Sequence, residues 1–144
     1  MMGDVADIRH HPEEPGTPPR ERFNYKGKHR YLIALPLAKP LPEKGASQAV
    51  LKLLGLLRDG CWKAKFEILA YCVVPDRLIL VARGETPESD MREFLRGFRT
   101  AATEAFEPGA AHPFWKRKYQ ERVLRKGELT RTVAQEIFRE PVKA

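Results

Sequence analysis

The chain has 144 residues, 42% of them hydrophobic and 31% charged, with 26 Lys and Arg against 19 Asp and Glu and a formal net charge of +7. That length suits one domain with a real core and excludes two comfortable ones. No apolar run approaches the ~20 residues of a membrane span, and the start is acidic, prolyl and polar rather than signal-like, so a cytoplasmic protein is expected. The two cysteines, Cys61 and Cys72, fit neither a disulfide framework nor a metal-site spacing. Cys72, in an apolar run, reads as a small buried hydrophobe. The positive balance favours polyanions, nucleic acid first and an anionic membrane surface second, over a merely solvated basic surface.

Residues 1–22 are rich in proline and charge and carry no period, which reads as a disordered arm before a domain over 23–144. The pair His10-His11 within it has metal-binding chemistry but no framework to hold a metal. "HRYLIALPLA" (29–38) reads as a first strand that Pro36 ends early or confines to an edge. Over 46–58 the period changes: Val50, Leu53, Leu54 and Leu57 recur at helical spacing, and Gly60 falls just past the expected end. "FEILAYCVVP" is a nearly continuous apolar strand, expected at the centre of a sheet. Pro75-Asp76 turns it into a second strand, "RLILVARG", and so makes a hairpin.

That second strand alternates. Leu78, Leu80 and Ala82 point one way; Arg77, Ile79, Val81 and Arg83 point the other. A strand otherwise suited to a core thus carries two arginines on one face. Residues 90–107 form the clearest helix, with Met91, Phe94, Leu95, Phe98, Ala102, Ala105 and Phe106 on one stripe and Arg92, Arg96 and Arg99 opposite. Asp90 with Glu93 reads as a capping box variant. "FWKRKYQERVLR" (114–125) alternates again, with Trp115, Tyr119 and Val123 on one face and Lys116, Lys118, Gln120 and Arg122 on the other. A last helix is expected over about 128–140, stopped by Pro141. The order β-α-β-β-α-β-α predicts an α+β fold: a ferredoxin-like split β-α-β antiparallel sheet, two helices on one face, the other face open, and an added C-terminal helix.

The blocks "AYCVVPDRLILVARGE", "FWKRKYQERVLRKGEL" and "VAQEIFREPVKA" resemble, in order and in register over about residues 23–144, the single-tyrosine HUH transposases, in particular the REP-associated tyrosine transposase branch. In that family the first block reads Tyr-x-Val-Met-Pro-Asn/Asp-His-x-His-Leu-Leu-Val. The resemblance implies two histidines that hold a divalent metal such as Mg or Mn, a tyrosine on the C-terminal helix that attacks single-stranded DNA, recognition of DNA hairpins, and frequent dimers. Here Pro75 and Asp76 match, but the histidine positions are Arg77 and Ile79 and the tyrosine position is Glu136. Arginine stays protonated and offers no lone pair to a metal, and isoleucine cannot ligate at all. The expectation is therefore no catalytic residues, no metal and no cofactor, in a protein that binds single-stranded or hairpin DNA without cutting it.

On that reading Arg77 takes over the metal's charge. Glu136, on a helical stripe with Leu129, Thr132, Val133 and Ile137, either pairs with Arg77 across the former site or reaches solvent at the rim. The nucleic-acid candidates are Arg77, Arg83, Lys116, Arg117, Lys118, Tyr119, Arg122 and Arg125, a run that interleaves basic and aromatic residues as single-strand binders do. Tyr119 and Trp115 also fit plain core packing, and Arg92, Arg96 and Arg99 a solvated ridge. Asp76, Glu136 and Glu140 lack a histidine to complete a metal site, and His29 and His112 have no partner at ligand spacing. The alternatives are residual nuclease activity through other residues such as Tyr119, an RNA-binding module, and a non-catalytic dimerisation partner. A homodimer is possible on each of them, and no membrane role is expected.

Overall fold

The computed structural model describes residues 23–110 and 112–143, with side chains described for 23–109 and 112–136. The expected N-terminal arm, His10 and His11 lie outside the described residues. In chain order come β1 (Arg30–Pro36), α1 (Ala46–Ala64), β2 (Phe66–Val74), β3 (Arg77–Gly84), α2 (Met91–Phe106), β4 (Gln120–Val123) and α3 (Thr130–Lys143). The strands form one antiparallel sheet in the order β2-β3-β1-β4. The fold is the α+β, ferredoxin-like arrangement that the element order implies.

The strand placements differ from the sequence reading in an instructive way. β2 is an edge strand, and β1 lies at the centre although Pro36 closes it. β2 looks central in sequence because both of its faces are covered. Ile68 and Val73 pack with α1 and α2, while Ala70 and Cys72 pack with the cluster on the other face. Two-sided coverage, not a central position, produces its apolar run. β4 spans four residues rather than most of 114–125, because after the Leu37–Trp115 bridge the chain leaves the ladder and rejoins it at Gln120.

α1 runs six residues beyond the expected 58. Gly60 does not stop it, because it sits where α1 crosses α2: a Cβ there would lie 3.6 Å from both Phe94 and Phe98. Lys65, in the left-handed conformation at φ 63, ends the helix, and its N–H caps the Cys61 carbonyl. α2 starts where expected, with the Asp90 carboxylate accepting from the N–H groups of Arg92 and Glu93. Its buried stripe is Met91, Phe94, Leu95, Phe98 and Ala102.

The main core lies between α1, α2 and one sheet face, with Tyr31, Ile33, Leu35, Leu78 and Leu80 meeting Leu53, Leu57, Phe94 and Phe98. Each fully buried apolar side chain contributes roughly 1.5–3 kcal/mol. A second cluster, Leu32, Ile79, Val81, Leu124 and Val133, fills the opposite face under α3. That face is therefore not left open, as the element order alone suggested. Thr130 begins α3, so Leu129 lies before it and is 60% exposed; Thr132 also faces out, and Val133 is the residue that docks. Helix α3 continues through Pro141 rather than stopping there. The side chain of Ile137 lies outside the described residues. Cys61 is the more buried thiol, and Cys72 is half-buried in the second cluster.

Candidate nucleic-acid interface

The sheet register sorts the arginines of the second face. Arg77 stands opposite Pro36, and Arg83 stands opposite Arg30. Six residues separate Arg77 from Arg83, roughly 20 Å along an extended strand. The two arginines that the sequence put on one face thus sit at its two ends. Between them Ile79 is 5% exposed and Val81 fully buried, both beneath Val133 of α3.

The first end gathers Arg77 and the approach to β4. The Lys116 N–H donates to the Pro36 carbonyl at 2.9 Å, which brings Lys116 into the row of Arg77 and Pro36. Arg77 reaches Asp76 at 3.4 Å, and the backbone of this turn is pinned by the Leu37 and Leu41 N–H groups, which donate to the Asp76 and Pro75 carbonyls. Lys116, Arg117 and Lys118 are exposed and form no ion pair with the described residues. Their backbone is nevertheless held firmly. Phe114 and Trp115 are buried, and the Trp115 indole N–H donates to the Arg99 carbonyl at 3.1 Å. Arg99 in turn donates to the Lys116 carbonyl and lies 5.0 Å over the Tyr119 ring. Trp115 is thus a core anchor. Tyr119 is half-buried against the main core and beside the cationic triplet.

The second end is a polar hub that the sequence reading missed. Arg30 donates to the Thr130 hydroxyl and to the Arg125 carbonyl, both at 2.7 Å, and to the Glu128 carbonyl at 2.5 Å. The Glu128 carboxylate accepts from Arg122 through both oxygens, at 2.8 and 3.0 Å, and from the Arg125 N–H at 2.7 Å. Burial works to raise the Glu128 pKa, but the Arg125 N–H and the Arg122 guanidinium outweigh it and hold the carboxyl below its usual range. Arg83 pairs with Glu67 across the β2–β3 ladder. Arg125, Lys126 and Arg131 are exposed around the hub. The available signal was weak: an arginine opening an apolar strand, and a glutamate in "RKGELT" just before a helix.

Among the positions named by resemblance, Arg77 and Ile79 share a face and Glu136 is half-buried on α3. Among the described residues Arg77 pairs with Asp76, and no ion pair to Glu136 is seen. A guanidinium and a sec-butyl side chain supply no lone pair, so Arg77 and Ile79 do not fit a divalent cation. Among the described residues, no three His, Cys, Asp or Glu side chains converge to hold one, and the Glu140 side chain lies outside them. The three α2 arginines do not form one free ridge. Arg92 stacks on Tyr25 at 4.3 Å, Arg96 pairs with Glu93, and Arg99 is tied to the β4 approach. His29 packs against Phe23 and His112 is exposed. Among the described residues no helix is long and apolar enough to cross a membrane.

No family model and no curated protein matches the chain. Solved structures do. A REP-associated tyrosine transposase, solved bound to a REP hairpin, is 20% identical, with a TM-score of 0.69 over 85% of this chain and 71% of that one. A protein of Deinococcus radiodurans R1 described as a transposase is 22% identical, with a TM-score of 0.51 over 82% of this chain and 94% of that one. The two likenesses converge with the strand order and the added C-terminal helix: this chain has the fold of a tyrosine transposase.

Proposed function

We propose that this chain is a transposase-like DNA-binding protein of the HUH type that holds single-stranded or hairpin DNA along the β4 side of its sheet and does not cleave it. The observation that carries the binding is the exposed triplet Lys116-Arg117-Lys118, without ion-pair partners among the described residues, on a backbone held rigid by Trp115 and Arg99. Cations already neutralised by carboxylates gain little from a phosphate, whereas these three gain the full release of counterions. Tyr119 beside them offers an aromatic edge to an unpaired base. The structural relative solved on a REP hairpin supports DNA as the polyanion. Arg122 and Arg125 border the same strand from the hub, and Arg77 and Arg83 stand at the two ends of the sheet; Arg77, Arg83 and Arg122 already face carboxylates and are secondary contacts to the triplet.

The absence of cleavage rests on different residues. Ile79 occupies a position where the resembling family places a metal ligand, and it is packed into the apolar cluster beneath α3. An ion there would lose its water without gaining a ligand. Glu136 cannot form the aryl phosphodiester of a tyrosine nucleophile. The chain is accordingly a pseudoenzyme that needs no metal cofactor.

Fluorescence anisotropy with a labelled hairpin, a matched duplex and a matched RNA, each at several salt concentrations, tests the binding. Hairpin preference with affinity falling steeply in log salt is expected, and no binding at low salt refutes the reading. Incubating the same hairpin with Mg²⁺ or Mn²⁺ tests the chemistry. Intact DNA is expected, and a protein–DNA adduct or a nick refutes the pseudoenzyme assignment.

A further inference from the structure

The sheet has a second flank, remote from the cationic β4 side. β2 forms it, nine residues long, with no proline and no lysine to protect the edge. Its one charged residue, Glu67, is paired with Arg83. A groove of about 840 Å³ wraps that edge, with Leu54 and Leu57 of α1 on one side, Ala134 of α3 on the other, and Leu69 and Tyr71 of β2 along its floor. The one charge in its lining is Arg58. Arg58 meets Asp59 at 4.0 Å, both side chains being widely exposed, which leaves the guanidinium open to a second carboxylate. Leu51 and Trp62, 70% and 80% exposed, extend the apolar surface along α1.

A segment of matching chemistry lies in the chain itself, ahead of the first described residue. Residues 1–8, MMGDVADI, hold Met1, Met2, Val5 and Ile8 with Asp4 and Asp7 among them. Residues 9–22 contain no valine, leucine, isoleucine, methionine or phenylalanine, and they carry four prolines. An apolar, acidic tip on a proline-rich spacer is the composition of a tethered ligand, and methionine suits an irregular apolar groove. The reach suffices. Phe23 packs on Tyr31 with ring centres 6.5 Å apart, and Tyr31 lies 6.4 Å from Phe66, the first residue of β2. The chain thus enters the described fold beside the start of the groove's floor. From Phe66 to Tyr71 is roughly 17 Å along the strand, whereas a proline-rich spacer over residues 9–22 reaches about 43 Å.

We propose that residues 1–8 of the chain occupy this groove as an extended segment along the β2 edge. In that conformation Met2, Asp4, Ala6 and Ile8 share one face. Turned toward α1, that face gives its apolar side chains to Leu54 and Leu57 and its carboxylate to Arg58. The segment's backbone meets the row of N–H and carbonyl groups that β2 leaves open. A tethered segment acts at roughly millimolar effective concentration, so an affinity of only about 100 μM as a free peptide keeps it docked about nine-tenths of the time. Any other strand has to displace it. The segment therefore guards an edge whose own protection is the bulge between Ile68 and Ala70.

Hydrogen exchange followed by NMR tests this on the full chain without nucleic acid, beside the full chain carrying Val5→Ser and Ile8→Ser together. Both substitutions lie outside the packed core and remove apolar contact without adding charge. The β2 amides that face away from β3 should exchange about tenfold faster in the double variant, with β1 and β3 amides unchanged. A synthetic peptide of residues 1–11, added to that variant at about 1 mM, should restore the slow exchange. Equal exchange in the two proteins overturns the proposal, and so does a peptide that restores nothing. Protection that survives the substitutions and rises with protein concentration also overturns it, since the groove would then hold a second copy. Hairpin binding belongs to the β4 side and stands or falls separately.

Discussion

Removing the Glu128 carboxylate tests whether the hub at the β4–α3 corner holds α3 on the sheet. Glu128→Ala deletes three charge-assisted hydrogen bonds at once, two from Arg122 and one from the Arg125 N–H. The side chains of Arg122 and Glu128 are 12% and 21% exposed, so the pair lies between the surface and buried limits. Exposed pairs contribute about 0–1 kcal/mol, and breaking a buried pair costs about 3–5. A loss of about 2–3 kcal/mol follows, or a melting midpoint lower by roughly 6–12 °C for a chain of this size. Glu128→Gln keeps acceptors for the Arg125 N–H and one Arg122 bond, and should lose about half as much. The pH dependence has a definite sign. The folded carboxyl is held below its unfolded value, so its contribution is complete above about pH 4.3 and is lost as pH falls through the folded pKa. Urea unfolding followed by circular dichroism at neutral and acid pH measures both effects. A loss under about 0.5 kcal/mol at neutral pH, or a loss equally large in acid, would refute the reasoning.

Other consequences are as open to measurement. Replacing Lys116 and Lys118 together by alanine should flatten the log-affinity against log-salt slope for single-stranded DNA by about 1.4, with no change in melting temperature. An unchanged slope would move the phosphate contacts elsewhere. Gly84→Ala places a Cβ 2.0 Å from the Gly27 carbonyl oxygen and 3.0 Å from the Ser89 Cβ, and backbone cannot yield as a side chain does. Destabilisation of about 3 kcal/mol or more is expected in urea, and a variant as stable as its parent would refute the close approach. Burial, and then the Glu85 charge, push the Cys61 thiol up to about 12, so at pH ~8 it should resist an aromatic disulfide reagent until the chain unfolds. Rapid reaction of both thiols in the native protein would contradict that burial.

The local elements were legible because their chemistry is local. The α2 stripe from Met91 to Ala102, its Asp90 cap and the Pro75-Asp76 hairpin each depend on residues within one turn of one another. The ferredoxin-like order followed, since β-α-β-β-α-β leaves few unknotted pairings. Element ends were less legible. Gly60 carries the same sequence signal as a helix cap but serves the α1–α2 crossing, and a crossing is a property of two helices at once. β2 shows the same limit: an apolar run reports how many faces are covered and says nothing of which strand lies outside.

For the site, the sequence by itself determined the chemistry that is available. Arg77, Ile79 and Glu136, at the positions where the resemblance expects two histidines and a tyrosine, bring no imidazole and no phenol wherever the chain folds, because donor atoms belong to side chains. It also determined the basic run from Lys116 to Arg131. Tertiary structure alone decided which of those cations are available. It seats α3 over Ile79 and Val81, ties Arg122 to Glu128 and Arg30 to the turn before α3, and leaves Lys116, Arg117 and Lys118 exposed. The reason is that ion pairing depends on separation in space. The contacts that set it here join residues up to 100 positions apart, as Arg30 and Thr130 are, and no pattern within a strand or a helix encodes such a distance.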